Sequence, residues 1–166
     1  NRFNNKLRKI EDMNEIQQVI IAKGTDVIFP DGRIEHFSLT ANDQLSITAL
    51  KAKVEEGMEL IPWHEADDTE HCKFYPNAEM SLICDTAINY VSYHVTYFRD
   101  LRIYINSLDN KEDVDAVYYG IEIPEQYQSE VLKVMLAAMA VEEEPIEAEE
   151  PEADDSLEDT VEIDEE

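Results

Sequence analysis

Two histidines and a cysteine lie close together in the middle of the chain, and side chains of these types could bind a metal ion. His64 and His71 flank a turn that contains Asp67 and Asp68, and Cys72 follows His71 directly. Imidazole, thiolate and carboxylate groups are the usual ligands of zinc. Adjacent residues of a strand point to opposite faces, however, and the chain has no CxxC, HxxxH or HExxH spacing. We therefore expect these residues to be surface or strand-packing side chains and no cofactor to be bound, with zinc binding as an alternative.

His94 could also take part in chemistry, because it lies within an apolar stripe between Tyr90 and Tyr97. A buried imidazole needs hydrogen-bond partners, which a tyrosine hydroxyl or a backbone carbonyl could provide. A catalytic role would also need a nucleophile or an acid nearby, and the sequence does not indicate one. The chain has no glycine-rich phosphate loop and no GxSxG pattern. We expect a hydrogen-bonded core histidine in a protein that is not an enzyme.

His94 belongs to one long helix, which the apolar spacing predicts between Pro76 and Leu108. Apolar residues recur there at steps of three, one and three, which describes a wide stripe on a helix of about nine turns. The stripe consists of Met80, Ile83, Cys84, Ala87, Tyr90, Val91, His94, Tyr97, Phe98, Leu101, Tyr104, Ile105 and Leu108. Leu82, Ile88, Val95 and Ile103 lie off the stripe, so we expect more than one side of the helix to be covered. The row of Tyr90, Tyr97 and Tyr104 is expected to face a hairpin.

Two hairpin signals precede the long helix, in residues 25–38 and 58–75. Each has two β-prone runs on either side of a turn-forming segment. Between them Thr40 and Asp43 form an acidic capping box, which predicts the start of another helix. Pro124 is predicted to begin the last helix. The sequence thus predicts an α+β fold, in which two β-hairpins pack against one long central helix with flanking helices.

The chain divides into three parts by composition. Residues 1–23 carry a narrow apolar stripe, which is typical either of a coiled coil or of an amphipathic helix that packs on its own domain. Residues 24–141 form the α+β module. Residues 142–166 contain 15 acidic residues, no lysine or arginine and no aromatic residue. Such a segment buries too little apolar surface to offset its chain entropy, so we predict a disordered acidic C-terminal tail.

The charge limits the classes of partner. The chain has 13 basic and 39 acidic residues, a net charge of −26, of which −11 belongs to residues 1–141. A surface this negative disfavours direct contact with nucleic-acid phosphates and with anionic membranes. The acidic tail could keep the protein soluble, dock on a basic partner or imitate the charge of DNA. These three roles are left open.

Several motifs outside the tail resemble a set of uncharacterised phage and prophage proteins. They are DV, PDG, EHFSLT and DQ in residues 26–44, IPWH in 61–64, HC and FY in 71–75, YH and TYF in 93–98, and YG and IPE in 119–125. Such proteins occur in the tail regions of siphoviruses of gut Firmicutes. The motifs are also distantly similar to a domain of unknown function at the end of some tail-fibre proteins. They are not catalytic motifs.

The resemblance covers residues 20–133 and implies a tail-associated structural or assembly protein of the fibre or baseplate region. It would be located in the virion tail, or in the host bacterial cytoplasm during assembly. Its expected partners are other phage tail proteins, and residues 1–23 could join it into a homotrimer. Trp63, Tyr75 and Tyr93 are the candidate exposed aromatic contacts. The first alternative is an acidic regulator or inhibitor of a basic nucleic-acid-binding protein, and the second is the zinc-binding protein considered above.

Overall fold

The computed structural model describes residues 1–143 and has the predicted α+β architecture. In chain order the elements are α1 (Arg2–Lys23), β1 (Thr25–Ile28), β2 (Ile34–Phe37), α2 (Ala41–Glu55), β3 (Leu60–Trp63), β4 (Lys73–Pro76), α3 (Asn77–Ser107), α4 (Lys111–Ala116) and α5 (Glu130–Glu143). A short 3-10 turn, Glu125–Tyr127, precedes α5. The prediction of two hairpins against one long helix is confirmed.

Helix α3 is the element on which the others pack. It has 31 residues, and every residue of the predicted apolar stripe is buried or half-buried. Three apolar side chains on its other sides remain exposed, namely Ile88 at 46%, Val95 at 50% and Ile103 at 53%. The expectation that these sides are covered is wrong for these three side chains, because α1, α2 and α5 pack along the stripe and leave them open. The fourth residue off the stripe, Leu82, is half-buried against the hairpin cluster.

The two hairpins form two separate two-stranded sheets and do not join. In the first, Thr25 pairs with Phe37, and in the second Leu60 pairs with Pro76. Their inner side chains build one hydrophobic cluster with α2 and the first half of α3, which we call the hairpin cluster. It contains Ile21, Val27, Phe29, Phe37, Leu39, Ile47, Ile61, Tyr75, Met80, Ile83, Cys84 and Ala87.

The second half of α3 packs against α1 and the segment that follows α4, and we call this group the C-terminal cluster. It contains Met13, Tyr97, Leu101, Ile105, Val117, Ile123 and Leu132, with Tyr104 and Tyr127 packed beside them. In the tyrosine row of α3, Tyr90 packs against the hairpin cluster, and its hydroxyl donates to the carbonyl of Ile20 in α1. The prediction that the row faces a hairpin is wrong for Tyr97 and Tyr104, because both hairpins lie at the other end of α3 and these two rings meet the chain after α4 instead.

Helix α1 runs antiparallel to α3 and packs on it. Lys6 Nζ donates to the carbonyl of Asn106, and Gln17 Nε2 donates to the carbonyl of His94. Met13 is buried between the two helices, whereas Phe3 near the start of α1 is 65% exposed. The middle and end of α1 thus belong to the folded core, and a trimer through its exposed first turns stays a prediction.

Local signals explain where several helices begin and end. Thr40 and Asp43 form the predicted capping box at the start of α2. Gly24 ends α1 at a φ of 82°, where a Cβ would lie 1.7 Å from the carbonyl oxygen of Phe37, so only glycine fits without a shift.

The last helix begins later than predicted. Pro124 precedes the 3-10 turn, and α5 starts only at Glu130, because the hydroxyl of Ser129 accepts the N–H of Leu132 and the N–H of Ser129 donates to the buried carboxylate of Asp100. Glu142 and Glu143 belong to α5. The rest of the predicted disordered tail lies outside the described residues.

Candidate interaction surface

The residues considered for metal binding do not form one site. His64 Nδ1 lies 2.8 Å from the carbonyl oxygen of Glu65, and its ring packs against Trp63 at 4.4 Å between centroids. His71 and Cys72 are exposed. Within residues 1–143 no three His, Cys, Asp or Glu side chains are placed so that they could share a metal ion.

His94 is hydrogen-bonded as the sequence suggested. Its Nδ1 lies 2.7 Å from the hydroxyl oxygen of Tyr119, and the rings of Tyr90 and Tyr93 meet it edge-on. Burial lowers the pKa of His94 and raises the pKa of Tyr119, so both groups are neutral near pH 7. These neutral aromatic groups hold the segment after α4 against α3.

Tyr97, on the same face of α3, also hydrogen-bonds to the segment after α4. Its hydroxyl donates to the carbonyl of Ile121 at 2.6 Å and accepts the N–H of Gly120 at 3.0 Å. Burial raises the pKa of Tyr97 to about 12. The Tyr97 hydroxyl thus has a partner both as a donor and as an acceptor, which is the expected arrangement for a buried hydroxyl in a folded core.

Of the three predicted exposed aromatic contacts, the prediction for Tyr75 is wrong. Only 1% of Tyr75 is exposed, because its position in β4 points the ring between the two hairpins, where it packs on Phe29 and Phe37. Trp63 is half-buried against the hairpin cluster. Tyr93 is half-buried and lines a cavity of about 450 Å³ between α3 and α5. A contact role for Trp63 and Tyr93 stays a prediction.

The sequence reasoning missed a buried charge network around Glu35. This residue is 6% exposed, and its carboxylate accepts from the hydroxyl of Tyr75 at 2.7 Å, from Lys73 Nζ at 2.6 Å and from Arg33 Nη1 at 3.0 Å. Arg33 also pairs with Glu79 of α3. Burial alone would raise the pKa of Glu35, but the hydrogen bonds and charges of its partners lower it overall.

The network joins both hairpins to α3 at one point. A signal for it was present in the sequence, because Glu35 stands two residues before Phe37 in β2. Residues two apart in a strand share a face, so an inward Phe37 implies an inward Glu35. A buried carboxylate then requires cationic partners.

An open groove lies between α1, α2 and α3, and we call it the three-helix groove. It consists of two adjoining cavities of about 640 Å³ and about 340 Å³, which share Leu39 and Gln44. The first cavity lies between α1 and the start of α2. The second lies between α2 and the exposed side of α3. Together they have the dimensions of a binding cleft.

The lining of the groove is mostly apolar. Its floor is formed by buried residues of the hairpin cluster, namely Leu39, Ile47 and Ala87. The other apolar lining residues include Val19, Ala22, Ile88, Val91 and Val95. Val19 on α1 is 54% exposed, and Ile88 and Val95 on α3 are exposed to a similar extent. Among residues 1–143, Glu15 is the single charged residue of the lining.

Comparisons with known proteins give no relative for this chain. No protein-family model, no curated protein and no solved structure matches it. In the part of the chain that the structure describes, none of the helices is both long enough and apolar enough to cross a lipid bilayer.

Proposed function

We propose that this protein is a non-enzymatic interaction module and that the three-helix groove binds a partner protein. The observation that carries this proposal is the groove's composition: apolar side chains of three helices line one open cleft next to the core. Exposing apolar side chains in one place costs free energy that burial against a partner recovers, at roughly 25 cal/mol per Å².

The same proposal places the module in a phage tail, as a structural or assembly protein of the fibre or baseplate region. Its support is the resemblance of residues 20–133 to phage and prophage proteins. A tail component has to contact other tail proteins, and an apolar groove on a small, acidic module fits such a role.

The experiment is to induce a prophage in a strain that carries this sequence and to purify the particles. Mass spectrometry then measures the chain in intact particles, in isolated tails and in the particle-free lysate. We expect it either in tails or together with tail intermediates. The proposal would be contradicted if the chain were found only in the particle-free lysate without tail proteins, and if a strain with its gene deleted still assembled normal tails.

An acidic regulator of a basic nucleic-acid-binding protein is the second candidate, because residues 142–166 carry 15 acidic residues and no lysine or arginine. It predicts capture of such a protein that weakens with salt and is lost when residues 142–166 are deleted. A deletion that leaves every interaction unchanged would remove this candidate.

A further inference from the structure

We infer that the occupant of the three-helix groove is a basic amphipathic helix supplied by another protein. This inference rests on the proposed function, because it names the chemistry of the partner for the same surface. Three properties of the groove lead to it: the spacing of its apolar side chains, the polar groups at its edge and the sign of its charge.

The spacing of the apolar side chains with which α3 lines the groove suits a helical ligand. Ile88, Val91 and Val95 lie on successive turns, and from the first to the last the helix rises about 10 Å at 1.5 Å per residue. A bound amphipathic helix presents its own anchors at i, i+3 or i+4 and i+7, which spans the same distance. Two to three apolar anchors of a partner helix can therefore meet this row.

The polar groups of the groove stand at its edge. Gln44 and Thr48 of α2 and Ser92 of α3 line the second cavity beside the apolar row. Thr48 already donates its hydroxyl to the carbonyl of Gln44 within α2, and Gln44 Nε2 donates to the carbonyl of Leu39. Gln44 and Thr48 thus have partners within the fold, so a ligand that covers them with an apolar face leaves neither of these two donors without a partner.

The charge around the groove favours a basic occupant. Glu15 lines it, and Glu11 and Asp12 are exposed on the preceding turn of α1. Two cations lie at the same end, Arg99 one turn beyond Val95 on α3 and Arg8 one turn before Glu11 on α1, so the three carboxylates outnumber them. Lys23 lies at the other end of the α1 wall, and residues 1–141 as a whole carry a net charge of −11. A partner helix with lysine or arginine beside its apolar face is attracted, and its association is accelerated.

The same charge disfavours the two occupants that the chain itself could supply. The segment 144–166 is acidic and contains no basic residue, and a second copy carries the same net charge of −26. Either would bring like charges together at the groove, which costs binding free energy. Charge complementarity therefore points to a basic segment of a different protein.

The test uses the full chain and a fluorescent peptide of about 14 residues built from leucine and lysine, with the leucines on one helical face. Anisotropy measures the dissociation constant for the chain and for Val95→Asp. The matched control is Ile103→Asp, because Ile103 is an equally exposed residue of α3 outside the groove. Circular dichroism melting shows that both variants are folded.

We expect Val95→Asp to weaken peptide binding about tenfold or more, the equivalent of about 1.4 kcal/mol, and Ile103→Asp to change it less than about twofold. Glu15→Lys should weaken binding about threefold, with a smaller effect at high salt. Equal weakening by the two aspartate variants would overturn the inference. So would tighter binding of a leucine–glutamate peptide, or of an added peptide with the sequence of residues 144–166.

The outcomes separate this inference from the proposed function. If the groove binds the basic peptide but the chain is absent from tails and tail intermediates, the inference holds and the tail function fails. If the chain is found in tails but Val95→Asp binds the peptide as the original does, the tail function holds and the basic-helix inference fails.

Discussion

The two sides of helix α3 carry side chains of similar chemistry in opposite environments. On the packed side, Ile83 and Leu101 are fully buried in the hairpin cluster and the C-terminal cluster. On the open side, Ile88 and Val95 keep about half of their surface in water. The packed side contributes to the stability of the fold, whereas the open side can contribute free energy only when a partner covers it. Stability and binding should therefore respond to different residues of one helix.

The two ends of the packed side also differ in the chemistry of their buried polar groups. At the hairpin end, the buried carboxylate of Glu35 is paired with Lys73 and Arg33. At the other end, His94 and Tyr119 hydrogen-bond to each other, and the buried carboxylate of Asp100 accepts the backbone N–H of Ser129. Because the partners of Glu35 lower its pKa, the hairpin end should contribute a stability that is lost on acidification.

The largest effect is expected from the packed side. Ile83→Ala removes a side chain that is 0% exposed and leaves a cavity, which should lower the free energy of unfolding by about 3 kcal/mol. The matched variant on the open side, Ile103→Ala, should change it by less than about 0.5 kcal/mol. Urea denaturation followed by circular dichroism measures both. Similar losses for the two variants would contradict the distinction between the sides.

The next effect concerns the charge network. Glu35→Gln should lower the free energy of unfolding at pH 7 by about 2 kcal/mol, because it removes charge-assisted hydrogen bonds from a buried position. The hydrogen bonds and charges of Lys73, Tyr75 and Arg33 hold the pKa of Glu35 below its ordinary value in the fold. Its contribution is therefore present above the unfolded-state pKa and is lost as the pH falls through the folded pKa. The original chain should therefore lose more stability on acidification than the variant. If the free energy of unfolding fell equally with pH in the two proteins, this expectation would be refuted.

A smaller effect is expected from His36, which bridges β1, β2 and the end of α1. Its Nδ1 lies 2.7 Å from Asp26 Oδ1 and its Nε2 lies 2.6 Å from the carbonyl oxygen of Lys23. Partial burial disfavours the charged ring, but the hydrogen bonds to Asp26 and Lys23 outweigh it and raise the pKa above 6.5.

This stabilisation is fully present below the unfolded-state pKa and is lost as the pH rises through the folded pKa. His36→Gln should thus destabilise the protein more at pH 5.5 than at pH 8.5, by less than about 1 kcal/mol because the pair is exposed. Thermal melting at both pH values measures it. The control Asp26→Asn should reduce the same pH dependence, and an opposite trend would show that the bridge has no such role.

The smallest effect on stability is expected from the groove. Val95→Asp should change the free energy of unfolding by less than about 0.5 kcal/mol, because half of the side chain is already in water. Its effect should appear in binding instead. A large loss of stability with unchanged binding would mean that Val95 belongs to the packed side.

Much of the fold could be predicted because local signals agree with one another. The stripe of α3, the capping box at Thr40 and the turn residues of the hairpins each specify their own element, and none depends on distant contacts. The position of Tyr75 could not be predicted in this way. Whether a strand residue faces the core or solvent depends on which face of the hairpin packs on α3, and that is a tertiary property.

The groove could not be predicted for a related reason. Its walls come from α1, α2 and α3, and their relative placement depends on contacts such as Gln17 with His94 and Cys84 with the carbonyl of Ile47. The sequence did indicate the apolar residues of α3 outside the stripe, including Ile88 and Val95. It did not indicate that they would stay exposed, because the same pattern is typical of a helix covered on all sides.

The most direct test of the central claim, that the open side of α3 beside α1 and α2 is the binding surface, is a methyl NMR titration of the full chain with the leucine–lysine peptide. We predict that the methyl signals of Ile88, Val91 and Val95 shift first and most. Ile103 and Val134, which are exposed elsewhere, should remain unchanged. Shifts that begin at Ile103 or Val134, shifts of equal size at all exposed methyls, or no shifts at all would contradict it.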